Sequence, residues 1–183
     1  MNWSERERRW WIAALALILL IYATLYFVRG PVEFLRAHGV LRLTVGALFG
    51  VAALGVVRQV WKRGAGPRER VVLLAFAGVF CGAVLLADLP EEKLHFLEYG
   101  LLGSVLFQAC QERSARLGRG RLSAAWLAMV LAGLAGWGDE GIQAVLPNRY
   151  YDLRDILWNL LGSSIVILAL FSAAAARRRD SRL

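Results

Sequence analysis

Residues 94–111 read LHFLEYGLLGSVLFQACQ, and the fold turns on whether this stretch is a helix that crosses a membrane. It opens with two ionisable side chains, His95 and Glu98, and then carries no charge from 100 to 111. Hydropathy alone leaves it ambiguous, because a helix needs about 20 predominantly apolar residues to span the hydrocarbon. Its neighbours are clearer. Uncharged runs occupy 10–28, 43–57, 71–87, 122–138 and 156–176. The run at 43–57 is short, but Arg42 and Arg58 at its ends can extend their charges to the interfaces while their stems stay in hydrocarbon.

Composition agrees with a lipid solvent. Hydrophobic residues make up 58% of the 183, above the roughly 45–50% of soluble domains. Charge placement then settles how 94–111 is counted. With six crossings and both termini in the cytoplasm, inside segments hold 16 of the 22 basic residues. The outside keeps six: Arg29, Arg36, Arg42, Lys93, Arg149 and Arg154. Short cytoplasmic loops carry such an excess, whereas five crossings would put the arginine-rich loops at 58–70 and 112–121 on opposite faces. The expectation is an all-α integral membrane protein, one domain over 1–183. Its spans fall near 10–28, 41–59, 70–88, 93–111, 122–139 and 155–176, with both ends cytoplasmic.

The net charge of +8 could suggest nucleic acid. Here the charge lies in short stripes beside apolar runs, so anionic membrane lipid is the expected partner and nucleic acid is not. The first apolar run is long for a signal peptide and no clear small-residue cleavage site follows, so it reads as a retained helix. Cys81 and Cys110 are not placed for a disulfide and read as small packing residues. Gly46 with Gly50, and Gly78 with Gly82, have the four-residue spacing that lets helix backbones approach closely.

Polar residues concentrate in three clusters beside the outer ends of these helices. In the first, Glu91, His95, Glu98 and Tyr99 follow one helical face. The second holds Asp139, Glu140 and Gln143, with Pro147 and Arg149 beyond. The third has Asp155 and Asn159 one turn apart at the start of the last span. A charge at the centre of a bilayer costs about 2.5–3.5 kcal/mol even on lenient scales, so these faces are expected to meet protein or water. Read singly, each residue also has a plain role. Tyr99 suits an interfacial aromatic belt, Asp155 a helix cap, Gln143 and Asn159 interhelical hydrogen bonds, and Glu92 with Lys93 solvated charges. Together they read as one pocket opening outward between the last three spans.

The order H-F-x-E-Y at 95–99, D-E-x-x-Q at 139–143, P-x-R at 147–149 and D-x-x-x-N-x-x-G at 155–162 resembles the VanZ-like family, over about 90–165. Lys93 stands two positions before His95, where many members carry a basic residue three before it. The resemblance implies a bacterial inner-membrane protein linked to the cell envelope and to a glycopeptide-resistance phenotype. Three classes of function remain open. In an enzyme acting on a lipid-linked or phosphorylated envelope precursor, His95 or Glu98 would serve as acid or base and Arg149 would hold an anion. His95, Asp139, Glu140 and Asp155 could there ligate a divalent metal ion. The others are a lipid-headgroup binder or transporter, and a structural protein ordered by its polar network. Nine acids against six bases in the outer segments argue for a cation, protonated carboxyls or a neutral polar ligand.

Overall fold

The computed structural model describes residues 3–147 and 151–181. All regular structure among them is helical: α1 Glu5–Phe27, α2 Arg29–Ala37, α3 Leu41–Lys62, α4 Pro67–Leu86, α5 Pro90–Arg116, α6 Arg121–Gln143 and α7 Leu153–Asp180. Five of them, α1, α3, α4, α6 and α7, are long and apolar enough to cross a membrane by themselves. The protein is thus a multi-pass membrane protein in its architecture.

Local chemistry sets the ends. The Ser4 hydroxyl accepts from Glu7 N at 3.0 Å and starts α1, and Asp152 accepts from Arg154 N at 2.8 Å to start α7. Such side chains satisfy first-turn amides that have no partner within the helix. Pro67 and Pro90 open α4 and α5, where a missing N–H costs nothing. Glu92 supplies the cap at the start of α5, its Oε2 accepting from Asp88 N at 2.8 Å and Leu89 N at 3.1 Å. It is 7% exposed, so the expectation of a merely solvated charge is corrected. Gly64 and Gly118, at φ +59° and +63°, stop α3 and α5 in left-handed turns that side-chain-bearing residues avoid.

Ion pairs fix the helix directions. Arg116 near the end of α5 clasps Glu7 at the start of α1, with Nε–Oε2 2.7 Å and Nη2–Oε1 3.0 Å. Arg177 near the end of α7 meets Glu69 at the start of α4 at 2.8 Å, and Arg121 at the start of α6 lies beside Arg178 of α7. The six long helices therefore alternate in direction, and the described ends of the chain lie at the same, basic end of the bundle.

At the centre stands α5, packed on α7, α6 and α1, with lighter contact to α3. Its apolar half packs Leu102, Leu106, Phe107 and Cys110 against Ala14 and Ile21 of α1, an alanine ladder of α6 and Ile167 of α7. Phe96 forms a second cluster with Ala83, Ala87 and Ile165, edge-on to Phe80 at 5.9 Å and tilted to Trp158 at 5.4 Å. Cys110 is buried and Cys81 exposed, both as free thiols.

Two features were not foreseen. The segment after α1 folds as the short helix α2, where Arg29 pairs with Glu33 one turn later at 2.7 Å, and Arg36 reaches Glu91 of α5. The glycine pairs expected to pack meet no other helix among the described residues. A Cβ on Gly46, Gly50, Gly78 or Gly82 would meet nothing within 4 Å. The close approaches to another helix's backbone are at Gly103, whose Cβ would lie 2.9 Å from Ser163 O, and at Gly162, whose Cβ would lie 3.1 Å from Phe96 Cα. These two contacts hold α5 and α7 side by side.

Candidate functional site

The inward stripe of α6 runs Ala124, Ala128, Ala132, Ala135, Asp139, Gln143, all buried. Steps of three or four residues keep it on one face, and the face turns from methyl groups to carboxylate and amide in its last two turns. The stripes of α5 and α7 turn polar at that same end, through Tyr99 and His95 and through Asn159 and Asp155. Because α5 and α7 run parallel with Gly103 against Ser163, the residues one and two turns toward the polar end come into register. Tyr99 and Asn159 both border Gly136, where a Cβ would lie 3.5 Å from Tyr99 Cε1 and 3.0 Å from Asn159 Cβ. His95 meets Asp155.

The outermost layer is His95 Nε2 facing Asp155 Oδ2 at 3.4 Å, with side chains 15% and 21% exposed. The other ring nitrogen is Nδ1. That atom is buried and has no hydrogen-bond partner among the described residues. Below this layer the site closes over. Tyr99, Asp139, Glu140 and Asn159 are 0% exposed.

A connected chain of hydrogen bonds crosses from α5 to the start of α7. The Tyr99 hydroxyl donates to Asp139 Oδ2 at 3.0 Å. Gln143 Nε2 donates to Glu140 Oε1 at 2.8 Å and approaches Asp139 Oδ1 at 3.3 Å. Asp152 N donates to Glu140 Oε2 at 2.8 Å, so both Glu140 oxygens are engaged. Glu98 is half-buried and lies near His95 and Asp139, without a hydrogen bond among the described residues. Asn159 differs from all of these: its Oδ1 and Nδ2 are both buried and both unpaired among the described residues.

The structure thus gathers eight of the nine residues expected from the sequence; Arg149 lies outside the described residues. The expected metal set of His95, Asp139, Glu140 and Asp155 is not drawn together as one group. Among the described residues no three His, Cys, Asp or Glu side chains converge as a metal site. The carboxylates of Asp139 and Glu140 accept from Tyr99, Gln143 and Asp152 instead.

No family model, curated protein or solved structure matches the chain. What the site does therefore rests on its own atoms.

Three further residues complete the site. Tyr22 of α1 donates its hydroxyl to Ala135 O at 2.7 Å, the carbonyl that lies 3.2 Å from the Tyr99 hydroxyl. Its only sequence signal is the helical spacing from Ala14 and Ile18. Ser163 donates into the α7 backbone, to Asn159 O at 2.8 Å. Arg154 lies 3.4 Å from Glu92 and 3.6 Å from Asp88, joining the starts of α5 and α7 at the rim.

Proposed function

We propose that the chain is a six-span protein of a bacterial inner membrane, VanZ-like in type, with both ends cytoplasmic. In this reading α5 is the sixth span and the His95–Asp155 layer faces outward. Supporting α5 as a span, its acids Glu91 and Glu92 and its bases Arg113 and Arg116 sit in its first and last turns, and its middle packs among α1, α6 and α7.

The site then binds the polar head of a lipid-linked envelope component. One observation carries this: the Asn159 carboxamide is fully buried with donor and acceptor both unpaired. Leaving such groups unpaired costs about 1–3 kcal/mol, and native proteins rarely retain them without a ligand, water or chemical role. An amide offering N–H donors beside an acceptor oxygen matches a hydroxyl or another amide. With Glu98, Asp139, Glu140 and Asp155 around it, an uncharged, hydroxyl- or amide-bearing headgroup fits better than an anion. The unpaired Nδ1 of His95 and the carboxylate of Glu98 supply two further contacts nearer the surface. Tyr99, Asp139, Gln143 and Glu140 already satisfy one another, so their part is to hold the three helices around the ligand.

The test is native mass spectrometry of protein extracted from its own membrane in mild detergent. Wild-type protein retains a bound lipid distinct in mass from the bulk phospholipids, and Asn159→Leu and His95→Ala lose it while staying folded. Retention of that lipid by Asn159→Leu would overturn the reading. Sidedness is tested with an alkaline phosphatase reporter fused after Arg179, which stays inactive if this end is cytoplasmic.

A further inference from the structure

At the opposite, basic end of the bundle the start of α6 and the end of α7 enclose a groove of ≈ 490 Å³, lined by Gly120, Arg121, Leu122, Phe171, Ala175, Arg178 and Arg179. Its floor is apolar and its rim carries three guanidinium groups. Arg121 and Arg178 are close enough to repel one another. Arg121 also donates to Gln111 Oε1 at 2.7 Å, a neutral partner that leaves its charge uncompensated.

The ion pairs of this end leave no acid for these arginines among the described residues. Every acidic side chain here is already engaged by another base: Glu5 by Arg9, Glu7 by Arg116, Glu69 by Arg177, Glu112 by Arg6 and Asp180 by Arg68. The arginine run of α7 is divided by helical geometry, since successive side chains point about 100° apart. Arg177 faces α4 and its acid, whereas Arg178 and Arg179 turn to the groove beside α6. The start of α6 adds to the same field. Gly120 gives it no side-chain cap, and its first turn has no acidic residue, so the positive end of the helix dipole is left to the groove.

We infer that this groove is a specific site for a phospholipid with an anionic headgroup, from the leaflet that meets the basic end. The phosphate lies between Arg121, Arg178 and Arg179, and an acyl chain follows Phe171, Ala175 and Leu122. Basic pockets between membrane helices bind such headgroups through charge and bidentate guanidinium contacts. A free inorganic anion would gain nothing from the apolar floor, which argues for a lipid. The site is independent of the His95–Asn159 site at the other end, and either can fail alone.

The test titrates purified protein in neutral detergent with phosphatidylglycerol, phosphatidylcholine or inorganic phosphate and reads bound adducts by native mass spectrometry. Wild-type protein binds one phosphatidylglycerol at least about tenfold more tightly than phosphatidylcholine, and inorganic phosphate does not displace it. The triple variant Arg121→Gln, Arg178→Gln, Arg179→Gln loses that preference, while Arg58→Gln with Lys62→Gln on α3 keeps it within about twofold. Ala175→Trp, at an exposed position, fills the groove without changing charge and also weakens phosphatidylglycerol, which keeps the test valid if the triple variant misfolds. Equal loss in the groove and α3 variants, displacement by inorganic phosphate, or unchanged binding in Ala175→Trp would each overturn the assignment.

Discussion

Helices α3 and α5 are opposites in composition and in position. The apolar α3 buries only Leu41 and Val45, and 6% of its most apolar window is inside the protein. The other, α5, carries Glu91, Glu92, Lys93, His95 and Glu98 in its first turns and is not apolar enough to count as a span by itself, yet it buries eleven residues. In water the more apolar helix would be the core. In hydrocarbon the lipid is as apolar as leucine, so nothing drives an apolar face inward, whereas a polar group on the lipid side is costly. Polarity and small side chains, rather than hydropathy, mark the interior of this bundle.

The largest expected effect strikes the point where α5 and α7 touch. In Gly103→Leu the new Cβ falls 2.9 Å from Ser163 O and 3.0 Å from its Cα, both backbone atoms that cannot turn aside. Overpacking of a tight contact costs about 1–3 kcal/mol and sometimes more. A leucine against backbone is expected at about 3 kcal/mol, seen as a lower unfolding midpoint in detergent and a lower yield of folded protein. A midpoint within a degree of wild type would show that α5 is not clamped to α7.

Next comes Tyr99→Phe, which removes the donor to the Asp139 carboxylate while leaving the ring in place. Hydrogen bonds to charged groups contribute about 1.5–3 kcal/mol, and the loss is expected in that range. Asn159→Leu should act with the opposite sign. The amide it removes has no partner among the described residues, so a leucine of similar size leaves stability unchanged or raises it by up to about 1 kcal/mol, while lipid retention is lost. Unfolding midpoints measured side by side separate the two. A fall in both variants would place Asn159 among the structural hydrogen bonds.

Much of this was legible in the chain. The apolar runs located the five self-evident spans, and the four-residue spacings of His95 with Tyr99, Asp139 with Gln143 and Asp155 with Asn159 placed each pair on one face. Which polar groups would satisfy each other was not legible. It depends on the offset between α5 and α7, fixed by backbone contact at Gly103 and Gly162, and glycine spacing does not distinguish these from Gly46 and Gly50. Glu92 read as a solvated charge because capping depends on where the helix begins, and α2 lies in a segment too short and polar to stand out from a loop.

The smallest expected effect completes the contrast. Gly50→Leu and Gly46→Leu on α3 introduce side chains whose Cβ would meet nothing within 4 Å, and both positions are helical with ordinary negative φ. Leucine is the better helix former by several tenths of a kcal/mol, and its side chain would enter lipid without displacing a neighbour. Each variant is expected to stay within about 0.5 kcal/mol of wild type, on the stabilising side if it moves. The same substitution thus costs about 3 kcal/mol on α5 and nothing on α3. A fall of more than about 1 kcal/mol in Gly50→Leu, accompanied by loss of an oligomer on size exclusion, would mean that α3 meets a second copy rather than lipid, because only a partner outside the chain can feel that side chain.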